Sequence, residues 1–306
     1  MPEQRTTTKP ADLGSVAFLG LGIMGSRMAA NLARAGVRLS VWTHSPGKAE
    51  RWASEHDATA VATPAEAAAS SDIVVSMVVD GVQVSSVLLG EGGVVEAAHP
   101  GLLCVDMSTI GPTDARAIGA SLADHGVRML DAPVTGSSPR AEDGSLTIMA
   151  GGEREDFERA RPLLEVMGSL IVHVGELGQG QMLKLINNAV AAANAAAVAE
   201  ALVLADATGI DLDAFVEVVS SGSGGSTVLE LKSTPMREHD YTTLFKTAHM
   251  LKDVRLCLDE AQKAGAPFAS AAHARDLLTA AMGRGHGDDD FAAMIEAAEG
   301  LAGRRL

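Results

Sequence analysis

The sequence predicts an α/β domain built on a mainly parallel sheet, followed by an all-helical domain. Three observations carry this. Short apolar runs alternate with helical patterns from Ser15 to about Val174. Most of those runs are too uniformly apolar to have one wet face, and strands covered on both sides belong to parallel sheets with helical crossovers. After about Gly178 the strand signals stop and helical patterns continue to Leu306.

In order, "VAFLG", "LSVW", "IVVSMV", "LLCVDM", "VRMLDAP", "LTIMAGG" and "LIVHVG" read as strands. A long Ala-rich helix follows, then "IDLDAFVEVVSS" with an acidic first turn, "LFKTAHMLKDVRLCLDEAQKAG" ending at glycine, and two more helices before the end. The cluster "SSGSGG" at Ser220 to Gly225 reads as a loop. The expected divisions are a disordered tail over 1–14, an α/β domain over 15–176 and an all-helical domain over 177–306.

At 306 residues and 47% apolar content the chain can bury a substantial core, and with 3% aromatics that core must be aliphatic. Its 24 basic and 39 acidic residues give a formal charge of −15, which opposes nonspecific binding to nucleic acid or anionic membrane. Cys104 and Cys257 are expected to be buried free thiols in a reducing cytosol. The opening "MPEQRTTTKPADLG" lacks the apolar core of a signal peptide, so a cytoplasmic location is expected. The run after Lys184 is free of charge for only fifteen residues and contains Asn187, Asn188 and Asn194, short and polar for a membrane span.

"VAFLGLGIMGSRMAANLARAG" places Gly20, Gly22 and Gly25 in a G-x-G-x-x-G between a strand and a helix, the fingerprint of a Rossmann-type dinucleotide site. The first glycine permits the tight turn, the second lets backbone approach a pyrophosphate, and the third lets helix and strand pack. The diphosphate then rests on backbone amides at the positive end of the helix, which here belong to Ile23, Met24 and Gly25. NAD sites usually carry an acid at the end of the second strand to hold the ribose 2′-hydroxyl. This chain has Thr43, His44 and Ser45 there, with Lys48 a turn later and no acid before Glu50. NADP(H) is therefore the expected preference, with NAD(H) the alternative.

Between Glu176 and Glu200 the one charge is Lys184. Asn188 follows four residues later, about 400° around a helix, so both project from nearly the same face, with Asn187 about 60° away on the other side. A desolvated lysine beside an amide can serve as acid or base: neutral, it takes a hydroxyl proton as hydride leaves; charged, it returns that proton to a carbonyl oxygen. The helix begins where the α/β domain ends, so it is expected to line the cleft between the domains. In "DAPVTGSSPRAEDGSLTIMAGG", the turn at Thr135, Gly136 and Ser137 can offer amides and hydroxyls to a carboxylate.

Other polar features read as structural. His249 and Asp253 share a helix face, but two ligands do not make a metal site, and none is expected. Trp42 reads as packing. "GDDD" before Phe291 reads as a solvated helix start with an acidic N-cap.

Taken together, "FLGLGIMGSRMAANL", "DMSTI", "DAPVTGSSPRAEDGSLTIMAGG", "GQGQMLKLINN" and "FKTAHMLKDVRL" resemble, in order and at compatible spacing, the β-hydroxyacid dehydrogenase family. Its members, 6-phosphogluconate dehydrogenase-like in architecture, include 3-hydroxyisobutyrate dehydrogenases, tartronate semialdehyde reductases and glyoxylate/succinic semialdehyde reductases. The resemblance implies Lys184 as catalytic acid/base, Asn188 and Ser226 as substrate-binding residues, and Thr135 to Ser137 as the grip on the substrate carboxylate. It puts Ser108 and Thr109 beside the nicotinamide ribose and Lys252 over the site. It also implies a small anionic hydroxy or aldehyde acid as substrate and a homodimer or homotetramer assembled through the helical domain. Where the family commonly reads Ser-Gly-Gly, this chain reads Thr135, Gly136, Ser137, which narrows or re-polarises the pocket. The rivals are an imine reductase of the same architecture, which usually replaces the lysine, and a non-catalytic dinucleotide-binding protein.

Overall fold

A computed structural model describes residues 14–306 of the chain. The tail expected over 1–14 lies outside the described residues except for Gly14.

All seven expected strands are present: β1 (Ser15–Leu19), β2 (Arg38–Trp42), β4 (Ile73–Ser76), β5 (Leu103–Asp106), β6 (Arg128–Asp131), β8 (Leu146–Gly151) and β9 (Gly168–Gly175). Two further strands, β3 (Thr59–Ala60) and β7 (Val134–Thr135), are two residues each. Six strands run parallel in the order β3-β2-β1-β4-β5-β6, the arrangement of a doubly wound dinucleotide-binding sheet. β8 then meets β6 and β7 antiparallel, and β9 pairs with β8 in parallel.

The uniform apolarity of the strands has its cause in two cores. Along β1, Val16 and Phe18 enter one core while Ala17 and Leu19 enter the other, and β4 and β5 divide in the same way. One core is closed by α1 (Ile23–Arg34) and α7 (Arg154–Met167). The other is closed by α3 (Pro64–Ala69), α4 (Gly81–Leu89) and α5 (Pro112–Ala123). The short helices α2 (Lys48–Glu55) and α6 (Ser137–Glu142) complete this part. β9 is wet on one side, leaving Leu170 and Val172 exposed.

The helical part holds α8 (Gln179–Ala207), α9 (Leu212–Ser221), α10 (Thr227–Glu238), α11 (Thr247–Lys263), α12 (Ala269–Gly283) and α13 (Ile295–Ala302). Asp211 caps α9 by accepting from the Ala214 amide. Of the "GDDD" run, Asp290 does cap the 3₁₀ turn Phe291–Met294, but it is buried rather than solvated. It ion-pairs at 2.7 Å with the equally buried Lys232, whose ammonium sits 4.5 Å over the Phe291 ring.

The chain forms two compact units, one ending at Lys184 and one beginning at Leu185. The sequence places the domain boundary at 176/177; the compact units divide inside α8 because its first turn is bonded to the ends of β5 and β6, as described below. Among the described residues α8 is also the one helix long and apolar enough to cross a membrane, and 56% of its apolar window is buried within the protein, as in a core helix. Both cysteines are free and buried, and desolvation pushes the Cys104 thiol up to about 12 and that of Cys257 up to about 11, leaving two inert thiols.

Candidate active site

The glycine turn has the geometry its residues imply. The Gly20 amide donates to the Trp42 carbonyl at 2.8 Å, and Gly20 lies at φ +109, where any Cβ would collide with the Met77 carbonyl. A Cβ on Gly25 would collide with the Gly20 carbonyl oxygen, so α1 sits close against the turn. Gly22 is different: its Cβ position faces open space. As N-cap of α1, Gly22 brings no side chain to the first-turn amides of Ile23, Met24 and Gly25. An uncapped helix start with backbone open to approach fits a dinucleotide diphosphate.

After β2, Thr43 is half-buried, His44 and Ser45 are exposed, and Lys48 opens α2 half-buried. The turn closes through the Lys48 amide donating to the Ser45 carbonyl at 3.2 Å, with Gly47 in the left-handed region at φ +69. The Arg51 guanidinium also lies against this turn, 3.6 Å from where a Gly47 Cβ would stand. No acid occupies the loop. Trp42 packs into the core, and its ring N–H donates to the Ala62 carbonyl at 3.1 Å.

At the ends of β4, β5 and β6 lies a buried polar network. Asp106 accepts from Ser76 Oγ at 2.7 Å and from the Ser108 amide at 3.3 Å. Ser108 is fully buried and its Oγ accepts from the Val78 amide at 2.9 Å, so its side chain holds two strand ends together. Thr109 beside it is partly exposed. Asp131 accepts from the Gly178 amide at 2.7 Å and the Gln181 amide at 2.6 Å, so this distant carboxylate caps α8. Burial pushes the Asp131 carboxyl up to about 7, with Asp106 adding to the rise and the two amides opposing it. Lys184, 7% exposed, follows on the second turn of α8.

The Thr135–Ser137 turn links β7 to α6. Thr135 pairs with Thr147 of β8, Gly136 lies at φ +135 against the folded-over Arg140 stem, and Ser137 lies at φ +57. That angle favours glycine, so the serine that departs from the family pattern carries backbone strain.

In the second unit Asn188 is buried and its Nδ2 donates to Asp253 Oδ2 at 2.7 Å, while Asn187 Nδ2 donates to Asn188 Oδ1 at 3.1 Å. The Lys252 ammonium lies 3.0 Å from Asp253 Oδ1. Asp253 therefore serves Asn188 and Lys252 rather than pairing with His249. Among the described residues no group of three or more His, Cys, Asp or Glu is placed to hold a metal ion. Ser226 is the N-cap of α10, accepting from the Leu229 amide at 3.1 Å.

Sequence reasoning missed Asp131, Gln181, Asp253 and Arg51. The partners of the Asp131 and Gln181 side chains, and Asn188 as the partner of Asp253, lie 47 to 73 residues away in sequence, where no local pattern reveals them. Gln181 alone carried a signal, an amide three residues before Lys184 on an apolar helix.

Comparison with known proteins agrees with this fold. The family model for the NAD binding domain of 6-phosphogluconate dehydrogenase matches residues 15–175. The family model described as NAD-binding of NADP-dependent 3-hydroxyisobutyrate dehydrogenase matches residues 178–298. The Escherichia coli K12 2-hydroxy-3-oxopropionate reductase is 36% identical over 94% of this chain and 98% of its own length. The chloroplastic glyoxylate/succinic semialdehyde reductase 2 of Arabidopsis thaliana is 35% identical over 98% of this chain and 85% of its own. The Mycobacterium tuberculosis 3-hydroxyisobutyrate dehydrogenase, solved with L-serine, superposes with a TM-score of 0.85 at 35% identity, covering 93% of this chain and 98% of that one. Fold and relatives together define an NAD(P)-dependent oxidoreductase acting on hydroxy acids. The chain belongs to the β-hydroxyacid dehydrogenase family typified by 3-hydroxyisobutyrate dehydrogenase.

Proposed function

We propose that this protein is an NADP-preferring reductase/dehydrogenase of short 3-hydroxy acids and their semialdehyde or 2-oxo counterparts, with Lys184 as the general acid/base. The observation that carries the reading is the burial of Lys184 on a helix start fixed by a distant carboxylate. A lysine held out of water on a fixed helix turn is suited to pass a proton to or from a bound oxygen. The nicotinamide, when bound, supplies or accepts the hydride.

The chain's own residues do the rest. The amides of Gly22 to Gly25 hold the diphosphate, and Thr43, His44, Ser45 and Lys48 receive the 2′-phosphate, where an acid would repel it. Thr109, with Ser108 behind it, faces the nicotinamide ribose. The amides and hydroxyls at Thr135, Gly136 and Ser137 hold the substrate carboxylate, and Asn188, Ser226 and Lys252 are the substrate-binding residues of the second unit. In reduction Lys184 Nζ donates a proton to the carbonyl oxygen; in oxidation it removes the hydroxyl proton. Such help typically contributes about 10² to 10⁴ in rate.

Assembly as a homodimer or homotetramer through the helical unit is supported by apolar side chains exposed on α8, among them Leu183, Ile186, Val190 and Leu204. A cytoplasmic location is part of the same reading. The test is an absorbance assay with NADPH and NADH in parallel against glyoxylate, succinic semialdehyde, tartronate semialdehyde, methylmalonate semialdehyde and one cyclic imine. Turnover of an aldehyde acid with NADPH preferred is expected. Turnover of the imine alone, or cofactor binding without turnover, would contradict the proposal.

A further inference from the structure

The second turn of α8 carries Lys184, and the first turn carries a group whose polar atoms are all engaged. Gln181 is fully buried. Its Nε2 donates to the Ser108 carbonyl at 2.8 Å, its Oε1 accepts from the Ile110 amide at 3.1 Å, and its own amide donates to Asp131 at 2.6 Å. The side-chain amide thus pairs with the loop after β5 as a peptide group would. Its orientation is fixed, because reversing it would set oxygen against oxygen and N–H against N–H.

The two bonds fall on residues 108 and 110 and so bracket Thr109. Lys184 is three residues beyond Gln181, about 4.5 Å along the axis of the same helix. A shift of the first turn is therefore transmitted directly to the lysine.

We propose that Gln181 is a positioning residue: its buried amide fixes Thr109 and Lys184 relative to each other by clamping the first turn of α8 to the 108–110 loop. The proposal rests on the reading of Lys184 as the proton carrier and of Thr109 as a neighbour of the nicotinamide. Gln181, fully buried with both side-chain polar atoms bonded to the 108–110 loop, acts through the two elements it joins. Misplacement of reacting groups by about 1 Å can lower a rate about 100-fold.

Two variants test it. Gln181→Met keeps the volume and removes both bonds. Gln181→Glu restores donor and acceptor while its carboxyl is protonated, and loses the donor when ionised, setting a carboxylate against the Ser108 carbonyl. For Gln181→Met, kcat is expected to fall about 10- to 100-fold, with the NADPH Kd, read from cofactor fluorescence, within about 2-fold of the parent. The kinetic isotope effect with 4-deuterated NADPH should rise as hydride transfer becomes limiting. For Gln181→Glu, kcat should approach that of the parent at low pH and fall as the introduced carboxyl ionises, a limb absent from the parent and from Gln181→Met.

Parental kcat and isotope effect in Gln181→Met would overturn the proposal, as would a loss of NADPH binding equal to the loss of rate. Should Gln181→Met not fold, the pH limb of Gln181→Glu decides, and a profile parallel to the parent's rejects the clamp. A parent chain without turnover would instead bring down the functional reading, and the positioning role with it. Parental turnover that depends on Lys184 but not on Gln181 leaves that reading standing and removes only the clamp.

Discussion

Ser137 stands at φ +57, in the left-handed region where a Cβ crowds the backbone. For a non-glycine residue that conformation costs about 1–2 kcal/mol. Ser137→Gly removes the strain but frees the unfolded chain, which takes back about 0.5–1 kcal/mol. The expected net gain is about 0.5 kcal/mol with a ceiling near ~1.5 kcal/mol, confined to the first compact unit, to which Ser137 belongs. Urea unfolding followed by circular dichroism should move the midpoint of that unit upward by about 0.2 M at unchanged slope. A midpoint lowered by the same amount would refute the reasoning, because the serine side chain would then contribute more than its backbone strain removes. The substrate should respond in the opposite sense. If the Ser137 hydroxyl grips the carboxylate, a charge-assisted hydrogen bond worth about 1.5–3 kcal/mol is lost and KM for an aldehyde acid rises at least about 10-fold. An unchanged KM would assign the grip to the backbone amides alone.

The remaining expectations concern charge. Burial raises the Asp131 carboxyl to about 7 in the folded protein, against 3.8 for an ordinary aspartate, so the folded state binds its proton more tightly and this group's contribution to stability is lost as pH rises from about 4 to about 7. Relative to Asp131→Asn, the parent should lose unfolding free energy across that window; the reverse slope would mean that the Gly178 and Gln181 amides outweigh desolvation. Lys48→Ala should raise the NADPH KM about 10-fold or more while leaving the NADH KM unchanged, since the loss is one charged hydrogen bond to the 2′-phosphate; equal effects on both cofactors would remove Lys48 from that site. Lys232→Ala leaves Asp290 buried without its counter-charge, held by the Leu244, Phe245 and Ala292 amides, and should destabilise the helical unit by about 3–5 kcal/mol in thermal or denaturant unfolding, whereas a loss below about 1 kcal/mol would show that those amides suffice for the carboxylate.

Most strands were legible because both faces of the central sheet are buried, which demands nearly continuous apolar runs; β9, wet on one side, was legible from its Leu, Ile and Val residues alone. β3 and β7 were not, since two residues make no run. α10 was also missed: it follows a Gly/Ser cluster and contains Pro235, which reads as a helix breaker. The carbonyl that loses its helical donor, four residues earlier, belongs to Leu231, whose side chain is exposed. The glycine turn and the Lys184–Asn188 pair were readable because each lies within one local element. The groups that fix them, Asp131 and Gln181 for the start of α8 and Asp253 for Asn188, meet their partners only through the fold. Sequence alone also left Asp290 on the surface, because nothing near it announces Lys232, 58 residues earlier.

The central claim is that Lys184 moves the proton. The measurement that tests it most directly is kcat for Lys184→Ala with NADPH and the best aldehyde acid of the panel, alongside the Kd of NADPH. A fall in kcat of about 10² to 10⁴ with cofactor affinity unchanged is expected. Near-parental turnover in that variant would contradict the account and leave the buried lysine a structural residue.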